Sequence, residues 1–226
     1  MQTLITDFEN VAASIPSMGG RRIGPFLRRV AQRCQPDTHI VEVGAWLGAG
    51  TAQLMLGILA RENPKDVTLH VYDRFIAGSS EIEKMRTKGV FDIDEGEDTL
   101  PWVKDKLSAV MNDLNVKFHK GDINDVHWNR SDVIGVYVDD ASKAKFPTVF
   151  SKFGPSLMKG SYVVLMDFNY FKMEKLSAAE SIRHRAQRDF IEARASSFEN
   201  VSTGIPEGTS SAAFIYRGGA SFEPNL

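Results

Sequence analysis

Three glycines, Gly44, Gly48 and Gly50, stand between a short apolar run and a helix-like segment. Glycine lets the backbone turn sharply and approach a ligand without a Cβ atom in the way. Glu42 lies in the apolar run and adds a carboxylate beside the turn. The pattern predicts that a ligand is held close to the backbone at this point.

The spacing of this turn excludes two common nucleotide-binding loops. A dinucleotide fingerprint, GxGxxG, would need glycines at positions 44, 46 and 49, but the last two positions hold Trp46 and Ala49. A Walker A loop would need Gly-Lys-Ser/Thr after the turn, and no such triplet follows. The pattern from Glu42 to Gly50 is ExGxxxGxG.

Further carboxylates follow later apolar runs, at Asp73, Asp122, Asp139 and Asp167. In open α/β sheets a ligand binds outside the carboxyl ends of the strands, so we expect these acids to gather around it. Asp73 is suited to accept hydrogen bonds from a ribose diol. The side chain of Asp122, or the amide of the following Ile123, is suited to hold an adenine edge.

Alternating strand and helix patterns position these residues. Strands are predicted at 39–43, 67–73, 116–122, 133–139, 161–167 and 212–216, and helices at 23–34, 51–61, 102–114, 145–158 and about 177–197. The alternation predicts a mainly parallel sheet with helices on both faces. The last strand returns as an antiparallel hairpin partner.

The chain is predicted to be a single domain over residues 1–226, with a helical segment at about 1–35. The segment 76–99 is rich in glycine, serine and charged residues, and it is too long for an ordinary connection between a strand and a helix. We expect this segment to be an insertion or lid with few apolar anchors, mobile when no ligand is bound.

Composition narrows the class of protein. The chain has 226 residues, 42% of them hydrophobic, and a formal net charge of -2, which argues against a nucleic-acid partner. The single cysteine, Cys34, excludes an intrachain disulfide and CxxC metal sites. No apolar run approaches the ~20 residues that span a bilayer, and the N-terminus has no secretory pattern. We therefore expect a cytoplasmic protein with no membrane partner.

The segment 41–51, VEVGAWLGAGT, resembles the first motif of class I S-adenosylmethionine (SAM)-dependent methyltransferases. Within that class the chain is similar to the macrocin-type sugar O-methyltransferases, over about residues 17–170. Later motifs that carry the likeness are YDRF at 72–75, HKGD at 119–122, YVDD at 137–140 and GSYVVLMD at 160–167. Nothing after about residue 171 matches a pattern that we can place.

The resemblance implies a Rossmann-like methyltransferase sheet and a SAM site at the glycine turn. The residues that would line this site are Glu42, Gly44, Ala45, Trp46, Gly48, Gly50, Thr51, Asp73, Asp122, Ile123 and Asp139. The substrate would be a small-molecule acceptor.

Methyl transfer to oxygen requires an oriented acceptor and a group that helps it lose a proton, because the cofactor already supplies an activated methyl. An alcohol is a poor nucleophile at neutral pH, so a general base or a divalent metal is the usual remedy. The sequence offers Asp139, Asp140 and Lys143 as candidate catalytic residues.

Two strand ends offer hard oxygen ligands of the kind that Mg²⁺ binds. Metal-dependent O-methyltransferases resemble this arrangement, and the likeness predicts Asp139 and Asp167 as ligands, with Asn169 or Asp140 completing the set. Phe168 interrupts the Asp-Asn pair that the family pattern has after the fifth strand. The alternative is that Asp139 contacts the methionine part of SAM and that Asp167 caps the following loop.

The leading hypothesis is a SAM-dependent O-methyltransferase that acts on a hydroxyl of a small polar metabolite, such as a sugar or glycosylated compound. Two alternatives stay open: a non-catalytic SAM-binding or interaction protein, and an oxidoreductase with a nucleotide cofactor. The arginines near the N-terminus, at 21, 22, 28, 29 and 33, are interpreted as a solvated helix face. Assembly as a homo-oligomer is left open.

Overall fold

The computed structural model describes residues 2–17, 21–87, 93–141, 143–170 and 176–222. The strands are β1 Thr38–Val43, β2 Val67–Asp73, β3 Asn115–Lys120, β4 Ile134–Asp139, β5 Leu157–Leu165, β6 Phe198–Asn200 and β7 Ala212–Tyr216. The helices are α1 Gln2–Ser14, α2 Gly24–Gln32, α3 Ala49–Leu59, α4 Ser79–Thr87, α5 Leu100–Met111, α6 Phe146–Phe153 and α7 Ala178–Glu192.

The seven strands form one sheet in the order β3-β2-β1-β4-β5-β7-β6. β1 to β5 pair in parallel, and β7 lies antiparallel to both β5 and β6. The chain changes direction across the sheet between β1 and β4, which is the point where open α/β sheets form a ligand crevice. The predicted fold class, a mainly parallel Rossmann-like sheet with an antiparallel C-terminal strand, is confirmed.

The central strands are buried on both faces. β4 alternates between two apolar cores: Val136 and Val138 pack on one side with α2, α3 and α5, and Tyr137 packs on the other side with α6 and α7. Every residue of β4 is buried. A parallel strand covered on both faces is expected to be a nearly continuous apolar run, as the sequence of β4 shows.

The structure differs from the sequence prediction around residues 145–166. The predicted helix over 145–158 ends at Phe153, and β5 begins at Leu157 rather than at residue 161. Pro155 lacks an N–H and therefore cannot continue the α-helical hydrogen bonding. The chain passes through a short 3₁₀ turn at Gly154–Ser156, and Leu157 then pairs with Ile134 of β4.

The segment 76–99 is better anchored than its sequence suggests. It contains α4, in which Met85 is fully buried and Ile82 nearly so, and Ile76 forms an antiparallel bridge with Asp98. The expectation of few apolar anchors is wrong for residues 76–87 and 93–99, because one face of α4 packs into the core. Residues 88–92 lie outside the described part, and the opening of this segment as a lid stays a prediction.

The predicted N-terminal helical segment consists of α1, a 3₁₀ turn at Arg21–Ile23, and α2. α1 packs on α3 and α5 through the fully buried Phe8, and α2 packs along α3. These contacts bring the end of α1 to the carboxyl edge of the sheet. Among the residues that the structure describes, no helix is long and apolar enough to cross a bilayer.

Three histidines from adjacent strands form a hydrogen-bonded row. His39 Nδ1 lies 3.1 Å from His70 Nε2, and His70 Nδ1 lies 3.0 Å from His119 Nε2. Burial, together with the neighbouring His39 and His119, lowers the pKa of His70 to about 3. Both ring nitrogens of His70 face a nitrogen of a neighbouring histidine, and the pKa of His70 lies far below 7. The His70 ring is therefore uncharged at pH 7, and we assign the row a structural role.

This row predicts a loss of stability in mild acid. His70 has an unfolded pKa of 6.5 and a lower folded pKa, so the folded state resists protonation and stability falls as pH drops from about 6.5 toward 3. At pH 5 the contribution of His70 alone is about 2 kcal/mol. Urea unfolding at pH 7 and pH 5 should show this extra loss in the wild type and not in His70→Phe. The exposed His127 gives the control His127→Gln, and an equal loss in all three proteins would contradict the assignment.

Candidate active site

A cavity of about 320 Å³ opens at the carboxyl edge of the sheet, where β1 and β4 end. Its walls come from the end of α1, the start of α2, the first turns of α3 and the two strand ends. Six residues that the sequence singled out line it: Glu42, Gly44, Ala45, Trp46, Gly50 and Asp140. The topology therefore gathers the glycine turn and one strand-end acid around one space.

Gly44 brings the turn against the end of β4. Its φ is +87°, and a Cβ atom there would lie 2.6 Å from the carbonyl carbon of Asp140 and 2.7 Å from the nitrogen of Ala141. The amide of Asp140 donates to Val43 O at 2.7 Å just before this contact. Only glycine fits here, because both the backbone angle and the space exclude a side chain.

Gly48 and Gly50 start α3. Gly48 caps the helix with a φ of +84°, and a Cβ atom there would lie 3.1 Å from Val103. At Gly50 an added Cβ atom would lie 2.4 Å from Glu42 Oε1. The glycine at position 50 therefore leaves room for the buried carboxylate of Glu42.

Glu42 is 3% exposed, and its Oε2 accepts a hydrogen bond of 2.6 Å from the hydroxyl of Thr51. Burial raises the pKa of Glu42 to about 8; the Thr51 hydrogen bond opposes the rise, while Asp140 and Asp73 add to it. At neutral pH a carboxyl group with this pKa is mostly protonated. A cation bound nearby would favour its ionised form. Thr51, predicted as a cofactor contact, donates to Glu42, and its contact with a cofactor stays a prediction.

Asp73 holds the turn in place. Its Oδ2 accepts from the amide of Trp46 at 2.9 Å, and its Oδ1 accepts from the amide of Phe75 at 2.7 Å. Burial raises the pKa of Asp73, and these two amides oppose the rise. Each carboxylate oxygen keeps a further acceptor site, so the predicted bond to a ribose diol stays a prediction.

Trp46 stands where a dinucleotide fingerprint would have its second glycine, and it adopts a positive φ of 48°. Its side chain lines the cavity, and its Nε1 is buried without a hydrogen-bond partner among the described residues. A buried donor left unpaired costs ~1–3 kcal/mol, so a ligand acceptor at this wall would relieve the cost.

Asp122 and Ile123 lie away from the cavity. Asp122 is exposed, accepts from the amide of Asn124 at 2.9 Å and caps the turn Ile123–Asp125. That amide holds the pKa of Asp122 below its usual range. Ile123 packs on the core cluster on the other side of the sheet. Their predicted role at an adenine stays a prediction, and the contacts seen here are those of a helix cap.

Asp139 faces the opposite side of the sheet from the cavity. It is 1% exposed and accepts hydrogen bonds from Tyr137 Oη at 2.8 Å, the Ala141 amide at 3.2 Å and Gln187 Nε2 at 3.3 Å. Burial raises its pKa, and the Lys143 ammonium opposes that rise. The structure therefore does not place Asp139 where the predicted SAM contact, metal ligand or base would lie.

Asp140, the next residue, does line the cavity. Its Oδ1 lies 3.1 Å from Lys143 Nζ, and the Lys143 side chain is 7% exposed. Burial raises the pKa of Asp140, Lys143 opposes the rise, and the nearby Asp167 adds to it. Two of the three predicted catalytic residues thus form an ion pair at the cavity wall, in which the lysine is buried and the aspartate is partly exposed.

The predicted metal ligands after β5 have other contacts. Asp167 Oδ1 accepts from the hydroxyl of Ser210 at 2.7 Å, and the amide of Asn169 donates to Ser210 O at 2.7 Å. Phe168 is buried and packs on Phe214. Within the described ranges, no group of three or more His, Cys, Asp or Glu side chains is placed to hold a metal ion. Asp139 accepts three hydrogen bonds on the other face of the sheet and Asp167 accepts one from Ser210, so these two predicted ligands are not arranged to bind a divalent metal together.

Sequence reasoning missed much of the cavity wall. Apolar side chains in or beside α1, α2, β4 and β5 line it: Ala12, Ile15, Ile23, Leu27, Val138 and Met166. Arg28, interpreted as solvated, also lines it, and its guanidinium donates to Gln53 Oε1 at 2.6 Å and Glu9 Oε1 at 2.7 Å. The apolar face of α2 was a usable signal, whereas the contact of α1 with the strand ends is set by tertiary packing.

Comparison with known proteins finds no matching family model and no matching curated protein. Solved structures share the fold. A Staphylococcus aureus protein assigned as a caffeoyl-CoA O-methyltransferase superposes with a TM-score of 0.61 at 14% identity, over 95% of this chain and 92% of that one. TomG of Streptomyces achromogenes, an O-methyltransferase in complex with SAM, superposes with a TM-score of 0.54 at 17% sequence identity, over 86% of this chain and 79% of that one.

The Podospora anserina methyltransferase PaMTH1, bound to S-adenosylhomocysteine (SAH), gives a TM-score of 0.53 at 12% identity, over 95% of this chain and 88% of that one. At these identities the likeness establishes the fold. The chain therefore has the class I methyltransferase fold.

Proposed function

We propose that this chain is a SAM-dependent O-methyltransferase whose cofactor binds in the cavity beside the glycine turn. The observation that carries the proposal is the placement of two carboxyl groups, Glu42 and Asp140, in a largely apolar cavity at the carboxyl edge of the sheet. SAM carries a sulfonium and an ammonium, so its charge complements these acids. SAM or SAH is bound in TomG and PaMTH1, which share the fold.

The residues of this chain have separable roles in binding. When bound, SAM supplies a methyl group that is already activated as a sulfonium. Gly44 lets the turn pack against the end of β4, and Gly50 leaves room for the carboxyl group of Glu42, which supplies negative charge in a site shielded from water. Asp73 fixes the turn through the Trp46 amide. The end of α1 and the start of α2 cover the cavity, which limits competing hydrolysis.

The acceptor hydroxyl must lose a proton as its oxygen attacks the methyl. Asp140 lies at the cavity wall, and burial raises its pKa toward the range in which a carboxylate is an effective base. The Lys143 ammonium, 3.1 Å away, stabilises the negative charge that develops on oxygen. In this scheme the proton moves from the acceptor oxygen to a carboxylate oxygen of Asp140.

The acceptor is a small metabolite that carries a hydroxyl. The resemblance to macrocin-type enzymes favours a sugar or a glycosylated compound, whereas the apolar wall formed by Ile15, Ile23 and Leu27 favours an acceptor with an apolar part. A glycosylated compound with an apolar aglycone meets both conditions. A panel that pairs free sugars with their apolar glycosides, assayed by SAH formation, would separate these classes.

The raised pKa of Glu42 gives a direct test of cofactor binding. Below pH 8 the carboxyl is protonated in the free protein, and a bound cation favours its ionised form, so binding releases a proton. The affinity for SAM should therefore rise about tenfold from pH 6 to pH 7 and level off above pH 8. Calorimetry in buffers of different ionisation enthalpy measures the proton release.

The control for this test is Glu42→Gln, which keeps the shape of the side chain and removes its titration. It should bind SAM more weakly at pH 8 and show no proton release. A wild-type affinity that is the same from pH 6 to pH 8, with no dependence of the heat on buffer, would contradict the role of Glu42.

A further inference from the structure

Three acids lie at or just after the ends of β4 and β5: Asp140 lines the cavity, Asp167 comes just after β5, and Asp139 faces the other side of the sheet. Such a cluster is costly in a largely buried place unless a cation balances it. Lys143 places an ammonium there: its side chain is 7% exposed and its Nζ lies 3.1 Å from Asp140 Oδ1. The ammonium acts on Asp139 as well, where it opposes the effect of burial on the carboxyl pKa.

Lys143 is held firmly in this position. It belongs to the short turn Lys143–Lys145 at the start of α6, and α7 packs against that turn. From α7, Gln187 is fully buried and donates to Asp139 Oδ1 at 3.3 Å. α7 therefore covers Lys143 and fixes the position of Asp139, so the ammonium has a defined place beside these acids.

A divalent ion would need a different arrangement. Mg²⁺ requires about six oxygens in near-octahedral geometry at roughly 2.0–2.1 Å. Asp139 already accepts three hydrogen bonds on the other face of the sheet, and Asp167 accepts one from Ser210. Asp140, which does face the cavity, is paired with Lys143. The ammonium of Lys143 therefore already provides a positive charge beside the one acid of the three that lines the cavity.

We propose that the Lys143 ammonium takes the place of a divalent cation in this cluster, so that the chain balances its strand-end acids internally and binds no metal there. Only the consequence of this charge balance for catalysis rests on the proposed function. The charge balance itself involves only Asp140, Asp167 and Lys143, so it can be tested without SAM or an acceptor.

The test is a titration with Mn²⁺ alone, followed by the electron paramagnetic resonance signal of the free ion, at pH 7.5. The wild type should leave the signal as it is in buffer. Lys143→Gln removes the ammonium and leaves Asp140 facing Asp167, so it should bind one Mn²⁺ per chain about tenfold or more tightly than the wild type. Adding Asp140→Asn to that variant should abolish the binding. Lys145→Gln, an exposed lysine in the same turn, should behave as the wild type.

Two results would overturn the inference. One is a wild-type chain that binds one Mn²⁺ and loses it in Asp167→Asn. The other is a folded Lys143→Gln chain, checked by circular dichroism, that binds no Mn²⁺. Lys143→Met supplies the same comparison if Lys143→Gln does not fold, and the wild-type titration decides by itself if neither folds. If the chain fails to bind SAM, the proposed function is refuted, but the Mn²⁺ titrations still test the charge balance at Lys143.

Discussion

Gly44→Ala should lower the affinity for SAM about 100-fold and reduce the free energy of unfolding by about 2–4 kcal/mol. Gly44 has a φ of +87°, and an added Cβ atom would lie 2.6–2.8 Å from backbone atoms of Asp140 and Ala141. Backbone atoms cannot move aside as the tip of a flexible side chain can. The turn and the end of β4 must therefore separate, which displaces Asp140 from the cavity wall and opens the site.

The matched control for this substitution is Gly96→Ala. Gly96 has a φ of +88°, and an added Cβ atom would meet nothing within 4 Å. It thus carries the same backbone strain without the clash, and it should lose only about 1 kcal/mol of stability and keep the wild-type affinity. Calorimetric titration with SAM and urea unfolding measure the two quantities. Equal affinities in Gly44→Ala and Gly96→Ala would show that the glycine turn is not the cofactor site.

Asp140→Asn should lower kcat by about 10²–10⁴-fold, the usual contribution of a general base. The change keeps the size of the side chain but removes the group that accepts the proton, and it leaves Lys143 as a buried cation without its partner. SAM affinity should fall by less than kcat, because Glu42 stays in the cavity. For the wild type, kcat should decline as pH falls through the raised pKa of Asp140, since only the carboxylate can take the proton.

This test needs an acceptor found by screening hydroxyl compounds for SAH formation, with SAM binding measured separately on each variant. Asp105→Asn, an exposed aspartate on α5, is the control and should leave kcat unchanged. If Asp140→Asn keeps the wild-type kcat while Lys143→Met loses it, the lysine and not the aspartate is the base. Full activity in both variants would remove the ion pair from catalysis.

Local patterns were sufficient for the framework and for the glycine turn. The alternation of strands and helices is visible as periodicity, and Gly44 and Gly50 are required by backbone geometry that a sequence motif records. The start of β5 could not be predicted in the same way. Pro155 breaks the predicted helix early, and Leu157 joins the sheet because Ile134 offers it a partner, which is a tertiary effect.

The orientation of the strand-end acids could not be predicted from the sequence. In a strand that alternates polar and apolar residues, the pattern shows which face is buried. β4 is apolar on both faces, so nothing in its sequence shows that Asp139 turns toward Tyr137 and Gln187 while Asp140 turns toward the cavity. One partner of Asp139, Gln187, comes from α7 and lies 48 residues away in sequence, so this contact depends on tertiary packing.

The measurement that tests the central claim most directly is a calorimetric titration of the dialysed wild-type chain with SAM, beside one with NAD. The account predicts one SAM site per chain with micromolar affinity or better, a proton released on binding at pH 7, and no heat from NAD. A chain that gives no heat with SAM at any pH from 6 to 8, or that binds NAD in its place, would contradict the account.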